Sequence, residues 1–95
     1  MKTIWKYELE LKQLNEISMP FEAQILPNIH ASDTGIFIWA IVDTKYSLTK
    51  RVFEIVGTGR EIAFDPDTEK IYISTIADYK NTGYVWHLFE VKRRL

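Results

Sequence analysis

Seven consecutive apolar residues, Ile36 to Val42, constrain this chain more than any other stretch. Successive side chains of a strand point to opposite faces, so "IFIWAIVD" (Ile36 to Asp43) presents apolar groups on both. Such a strand needs cover on both sides, from a second layer or from a partner subunit. The rest of the chain offers that cover as short β-like runs between turn signals. In the first run, Thr3 to Leu11, Trp5, Tyr7, Leu9 and Leu11 fall on one face and Lys6, Glu8 and Glu10 on the other, the period-two pattern of a half-buried strand.

Lys12 to Pro20 breaks that pattern, and the best helical candidate in the chain, Leu11 to Ile17, is too short to stand as a helix. Ala23 to Ile29 is apolar but interrupted by Pro27, which cannot donate to a ladder, so the run reads as an edge strand or one bulged near the proline. Ala31 to Gly35 is a turn cluster. After it come runs at Arg51 to Gly57, Glu61 to Phe64, Ile71 to Ala77 and Tyr84 to Val91, with turns at Asp65–Lys70 and Asp78–Gly83. The expectation is an all-β fold: one domain over residues 1–95, an antiparallel sandwich or small barrel of six to seven strands with little or no helix.

Composition narrows the function. A net charge of −1 disfavours a duplex-DNA binder, which uses a basic face to neutralise phosphates. The Lys92–Arg93–Arg94 cluster reads as a solvated tail. There are no cysteines and only two histidines, His30 and His87, without paired-ligand spacing, so neither a thiolate site nor a metal centre is expected. The first residues lack the continuous apolar region of a signal peptide, and no run approaches the roughly 18 apolar residues of a membrane helix. A cytoplasmic protein without cofactor is expected. Nothing places serine, histidine and aspartate on a nucleophile device, so the chain is not expected to be an enzyme.

The candidate site centres on Gly57-Thr58-Gly59-Arg60. A Walker or dinucleotide loop needs a following helix, and none follows here. Two readings stand. The glycines shape a bulge or tight turn at a sheet rim, or bare backbone N–H groups and Arg60 face a phosphate or carboxylate. In the last strand His87 shares a face with Val85, Phe89 and Val91, and Trp86 shares the other with Tyr84, Leu88 and Glu90. Glu90, in phase with aromatic residues, calls for a cation, from Arg51, Arg60 or a ligand. Trp86 or Tyr84 is placed to stack a planar ring, with Arg51 and His87 in support. The aromatic set (three Trp, five Tyr and five Phe) fits core and interface as well as a base-stacking platform, for which no basic groove is evident.

The segments MKTIWKYELEL, MPFEAQIL, IWAIVD, RVFEIVGTGREI, YISTI and YVWHLFEV, in that order, resemble a family of small proteins of bacteriophages and prophage-carrying bacteria. That family usually runs K-T-I-W-K, W-A-x-V-D, R-x-F-x-x-x-G-T-G-H and V-W-H-x-F-E. The resemblance covers nearly the whole chain. Arg60 stands where the family usually has His, so a contact there would involve a permanent cation instead of a titratable ring. The resemblance implies an accessory protein acting in the host cytoplasm and assigns no reaction. It leads to the expectation of a binding protein that counters host defence by sequestering a small anionic, cyclic-nucleotide-like signal. Direct docking on a host defence enzyme is the alternative, and single-stranded nucleic-acid binding a weaker one. The doubly apolar strand and the aromatic content lead to the expectation of a homo-oligomer, with the site between subunits.

Overall fold

The computed structural model describes residues 1–78 and 83–94. Eight strands follow in chain order: β1 (Lys2–Glu10), β2 (Leu14–Pro20), β3 (Gln24–Ile25), β4 (His30–Ala31), β5 (Gly35–Asp43), β6 (Leu48–Gly57), β7 (Thr68–Asp78) and β8 (Tyr84–Arg93). They form two antiparallel four-stranded sheets. In the first, β1 takes one edge of β5 and the short strands β3 and β4 share the other; the second runs β2-β6-β8-β7. The Cα extents are 40 × 33 × 17 Å. The thin dimension is that of two stacked layers, which selects the sandwich over the barrel. Among the described residues no helix is long and apolar enough to cross a membrane.

β5 is the spine of the first sheet. Ile36, Ile38, Ala40 and Val42 point inward and are buried against Leu9 of β1 and against Met19, Phe53, Ile55 and Leu88 of the second sheet. The other face of β5, with Phe37, Trp39 and Ile41, is only half-buried. Its cover comes from within the sheet: the Lys6 ammonium lies 4.4 Å from the centre of the Phe37 ring, and His30 stacks on the same ring. Within one chain, that face is thus covered by side chains of its own neighbours.

Several sequence expectations need correction. The Lys12–Pro20 stretch, read as a break with a weak helical core, contains the strand β2. Its inward residues are Asn15, Ile17 and Met19, so a polar side chain occupies a core position and masks the alternation. Asn15 fits there because it mimics a strand: its Oδ1 accepts from Glu10 N at 2.9 Å and its Nδ2 donates to Glu10 O at 3.0 Å. Glu61 to Phe64, expected as a strand, forms none and pairs with no strand among the described residues; the Ala63 carbonyl accepts a hydrogen bond from the Lys70 ammonium instead. The strand total is eight where six or seven were expected: β2 is added, Glu61–Phe64 is lost, and the Ala23–Ile29 run shrinks to β3 ahead of Pro27, with β4 following beyond it at His30–Ala31 on the same edge of β5.

The turns follow their chemistry. Asp65 accepts from Asp67 N through Oδ1 at 2.8 Å and from Thr68 N through its carbonyl at 3.1 Å, an Asx turn closed by Pro66. Ser32 Oγ accepts from Gly35 N at 3.0 Å, which ties the turn ahead of β5. Of the expected turn at Asp78–Gly83, residues 79–82 lie outside the described residues. The pairing of β7 with β8 shifts register between Tyr72 and Ser74, a β-bulge.

Candidate functional site

β8 faces inward with Trp86, Leu88 and Glu90 and outward with His87 and Phe89, which follows from pairing Gly57 with Trp86, Ile55 with Leu88 and Phe53 with Glu90. That geometry divides the sequence-derived site residues into three groups.

The first group surrounds a cleft of about 330 Å³ at the end of β6. Gly57, Arg60 and Trp86 line it together with Lys12, Glu54 and Glu61. Thr58 and Gly59 form the centre of a tight turn, closed by Arg60 N donating to Gly57 O at 3.0 Å. Gly59 sits at φ +85°, a conformation that favours glycine. Gly57 has a different reason. A Cβ built on it would lie 3.2 Å from Cζ3 of Trp86, so its missing side chain makes room for the indole. Trp86 Nε1 is buried and has no hydrogen-bond partner among the described residues. Tyr84 packs on Trp86 edge to face, with ring centroids 5.5 Å apart, and is itself exposed.

The charges of this cleft are unevenly committed. Glu54, 2% exposed, is neutralised by Lys70 at 2.8 Å and touched by Gln13 Nε2 at 3.5 Å. Lys12 pairs with Glu10 at 3.2 Å. Arg60, at the exposed lip, makes no ion pair among the described residues. The site therefore offers an apolar wall of Ile55, Val56 and Trp86, one uncommitted guanidinium and the turn around Gly59.

The second group is His87 with Thr58, on the outer face of the second sheet. His87 Nε2 lies 2.8 Å from Thr58 Oγ1 and Nδ1 lies 2.9 Å from Thr75 Oγ1, whose oxygen in turn lies 2.7 Å from Tyr72 OH. Both ring nitrogens are thereby engaged by hydroxyls, and the chain holds the imidazole rather than presenting it. Thr58 N also donates to Val85 O at 3.0 Å, extending the ladder past Gly57.

Arg51 stands apart at the opposite end of β6. It grips Glu90 with Nε to Oε2 and Nη2 to Oε1, both at 2.7 Å, and its Nη1 donates to the Ala23 carbonyl. This pair supplies the cation that Glu90 calls for. It borders a broader groove of about 780 Å³ that also holds Lys50, Lys92 and Arg93. Arg51 does not join Arg60.

Sequence reasoning missed Lys12, Gln13, Glu54 and Glu61 as neighbours of the turn. Glu54 carried a signal: a carboxylate in "RVFEIVG" between apolar residues needs a cation, as Glu90 did. Among the described residues no group of three or more His, Asp or Glu is placed to hold a metal ion.

A family model described as a domain of unknown function (DUF7352) matches residues 1–94. No curated protein and no solved structure matches the chain.

Proposed function

Since the chain belongs to the DUF7352 family, whose description states no activity, we propose a function from the cleft itself: a non-catalytic binding protein for a small planar anion of nucleotide type. The observation that carries this reading is the meeting of Gly57, Arg60 and Trp86 around one cleft, with the guanidinium free of ion pairs among the described residues. Arg60 meets phosphate in the bidentate geometry that guanidinium favours. Trp86 and the aliphatic wall take the ring, and Glu61 accepts from an exocyclic amine. A cleft of about 330 Å³ is at the small end of ligand sites, so one nucleotide unit is the natural occupant. The resemblance to phage accessory proteins supports sequestration of a host defence signal as the setting.

Calorimetry against nucleoside monophosphates, cyclic di- and trinucleotides and ADP-ribose derivatives tests the reading. Binding of one class that is lost in Arg60→Ala, with the unfolding curve unchanged, supports it. Silence across the panel sinks it.

One observation favours a second reading, docking on a protein. Phe21 and Tyr46 meet edge to face at 6.0 Å on the exposed turn region, with Leu48 exposed nearby in sequence. If Arg60→Ala leaves activity intact while charge changes in the 44–50 loop abolish it, docking replaces ligand capture.

A further inference from the structure

Among the described residues β1 has a partner on one edge only. Alternate residues of a strand send their backbone groups to opposite edges. Met1 O accepts from Thr44 N at 2.9 Å, so the odd residues of β1 face β5, and the even ones face away. Glu10 agrees: its outward N–H and C=O are taken by the Asn15 side chain. That leaves the backbone groups of Lys2, Ile4, Lys6 and Glu8 along an open edge that ends at Asn15.

We propose that this edge is a self-pairing surface, on which a second copy of the chain adds its own β1 antiparallel about a two-fold axis at Trp5. In that register Lys2 opposes Glu8 of the second copy, Ile4 opposes Lys6, and each relation occurs twice. Every open group of the four residues is then bonded. Sliding the strands by one bonded pair in either direction sets Lys2 against Lys6, or Lys6 against its own copy, and leaves groups unpaired. Charge on an edge ordinarily blocks pairing; here the sign pattern penalises the neighbouring registers and favours this one. Two exposures are relieved at once. Trp5 is 40% exposed although it lies in phase with the inward residues Tyr7 and Leu9. In the pair it meets its own copy in a narrow, non-bonded position. Ile4 is 56% exposed, and the aliphatic stem of Lys6 from the second copy covers it. The first sheet becomes continuous through two molecules.

Light scattering coupled to gel filtration, over a dilution series, reads the mass. A species of twice 11.2 kDa is expected at high concentration. Glu8→Lys places like charges opposite each other twice and raises the dissociation constant by about tenfold or more. Lys2→Glu does the same, and the Lys2→Glu/Glu8→Lys double variant restores the dimer. Because the chain has no cysteine, Trp5→Cys supplies a single thiol that the two-fold axis brings face to face at disulfide distance. It crosslinks under mild oxidation faster than Ile4→Cys, whose thiols point to the other face and are offset. A monomer at all concentrations, a dimer indifferent to the charge swaps, or equal crosslinking of both cysteine variants overturns the proposal.

Discussion

Arg51 and Glu90 meet side by side on the inner face of the second sheet, two parallel hydrogen bonds of 2.7 Å joining guanidinium to carboxylate. The third guanidinium nitrogen reaches the Ala23 carbonyl, just ahead of β3, so the pair links the second sheet to the first. Both side chains are largely buried, and neither charge is stable there alone.

Breaking this pair from one side should therefore cost far more than removing it. Arg51→Met is expected to lower unfolding free energy by about 3–5 kcal/mol, since it strands the Glu90 carboxylate. The double variant Arg51→Met/Glu90→Leu should lose less than either single one. Urea unfolding of all three, read as midpoint at constant slope, checks the ordering. A double variant that sums the two single losses would show that the pair is not coupled.

The glycines at the two ends of the sandwich should differ sharply. A Cβ on Gly35 would lie 2.1 Å from the Leu9 carbonyl oxygen, which is backbone and cannot step aside without parting β1 from β5. Gly35→Ala should cost about 3 kcal/mol. A Cβ on Gly57 meets side chains instead, the Trp86 indole at 3.2 Å and Cγ of Arg60 at 3.5 Å. Gly57→Ala should therefore cost about 1 kcal/mol while shifting the Trp86 ring. Thermal unfolding ranks the two, and tryptophan emission reports the ring.

Burial pushes the Tyr7 phenol above its ordinary range, against a smaller downward pull from the Arg51 guanidinium. A raised folded value favours the protonated form. The resulting stability is present below the unfolded phenol's value of about 10 and is lost as pH rises through the folded one. Tyr7→Phe should therefore flatten the alkaline fall in urea midpoint. The Tyr7 hydroxyl has no partner among the described residues. At neutral pH the substitution should therefore change stability by less than about 1 kcal/mol.

Asp43 acts at the other end of the pH scale. The Lys45 backbone N–H, 3.2 Å from Oδ1, is the main cause holding its carboxyl below the ordinary range; partial desolvation opposes it, and the amine of Met1 and the Lys45 charge assist. A depressed folded value stabilises the fold above the unfolded carboxyl's value and ceases to do so as pH falls through the folded one. Asp43→Asn should give a modest loss at neutral pH and a shallower acid limb. Thermal midpoints measured across the acid range test the slope.

The sequence made the all-β class legible because β1, β5, β6 and β8 carry strong apolar patterns, and Trp86 and Glu90 were correctly set on one face of β8. The pattern failed where side chains served backbone chemistry. Asn15 occupies a core position to satisfy Glu10, and no periodicity rule anticipates that. The meeting of Trp86 with Gly57 was legible only as two separate candidates, since β6–β8 register decides it. Arg51 and Arg60, on one short motif, looked like members of one site. The length of β6 between them sends them to opposite ends of the sheet.

The bulge in β7 has a consequence for the outer face. In an unbroken strand, residues three apart point to opposite sides, so Tyr72 and Thr75 could not touch. Their 2.7 Å contact exists because the register shifts once between them. Ile73 thus acts as a parity switch. Deleting it would leave Tyr72 and Thr75 two positions apart in a regular strand, each still opposite its present partner on β8, so the file of hydroxyls behind His87 would survive and only the packing of Ile73 on the core would be lost.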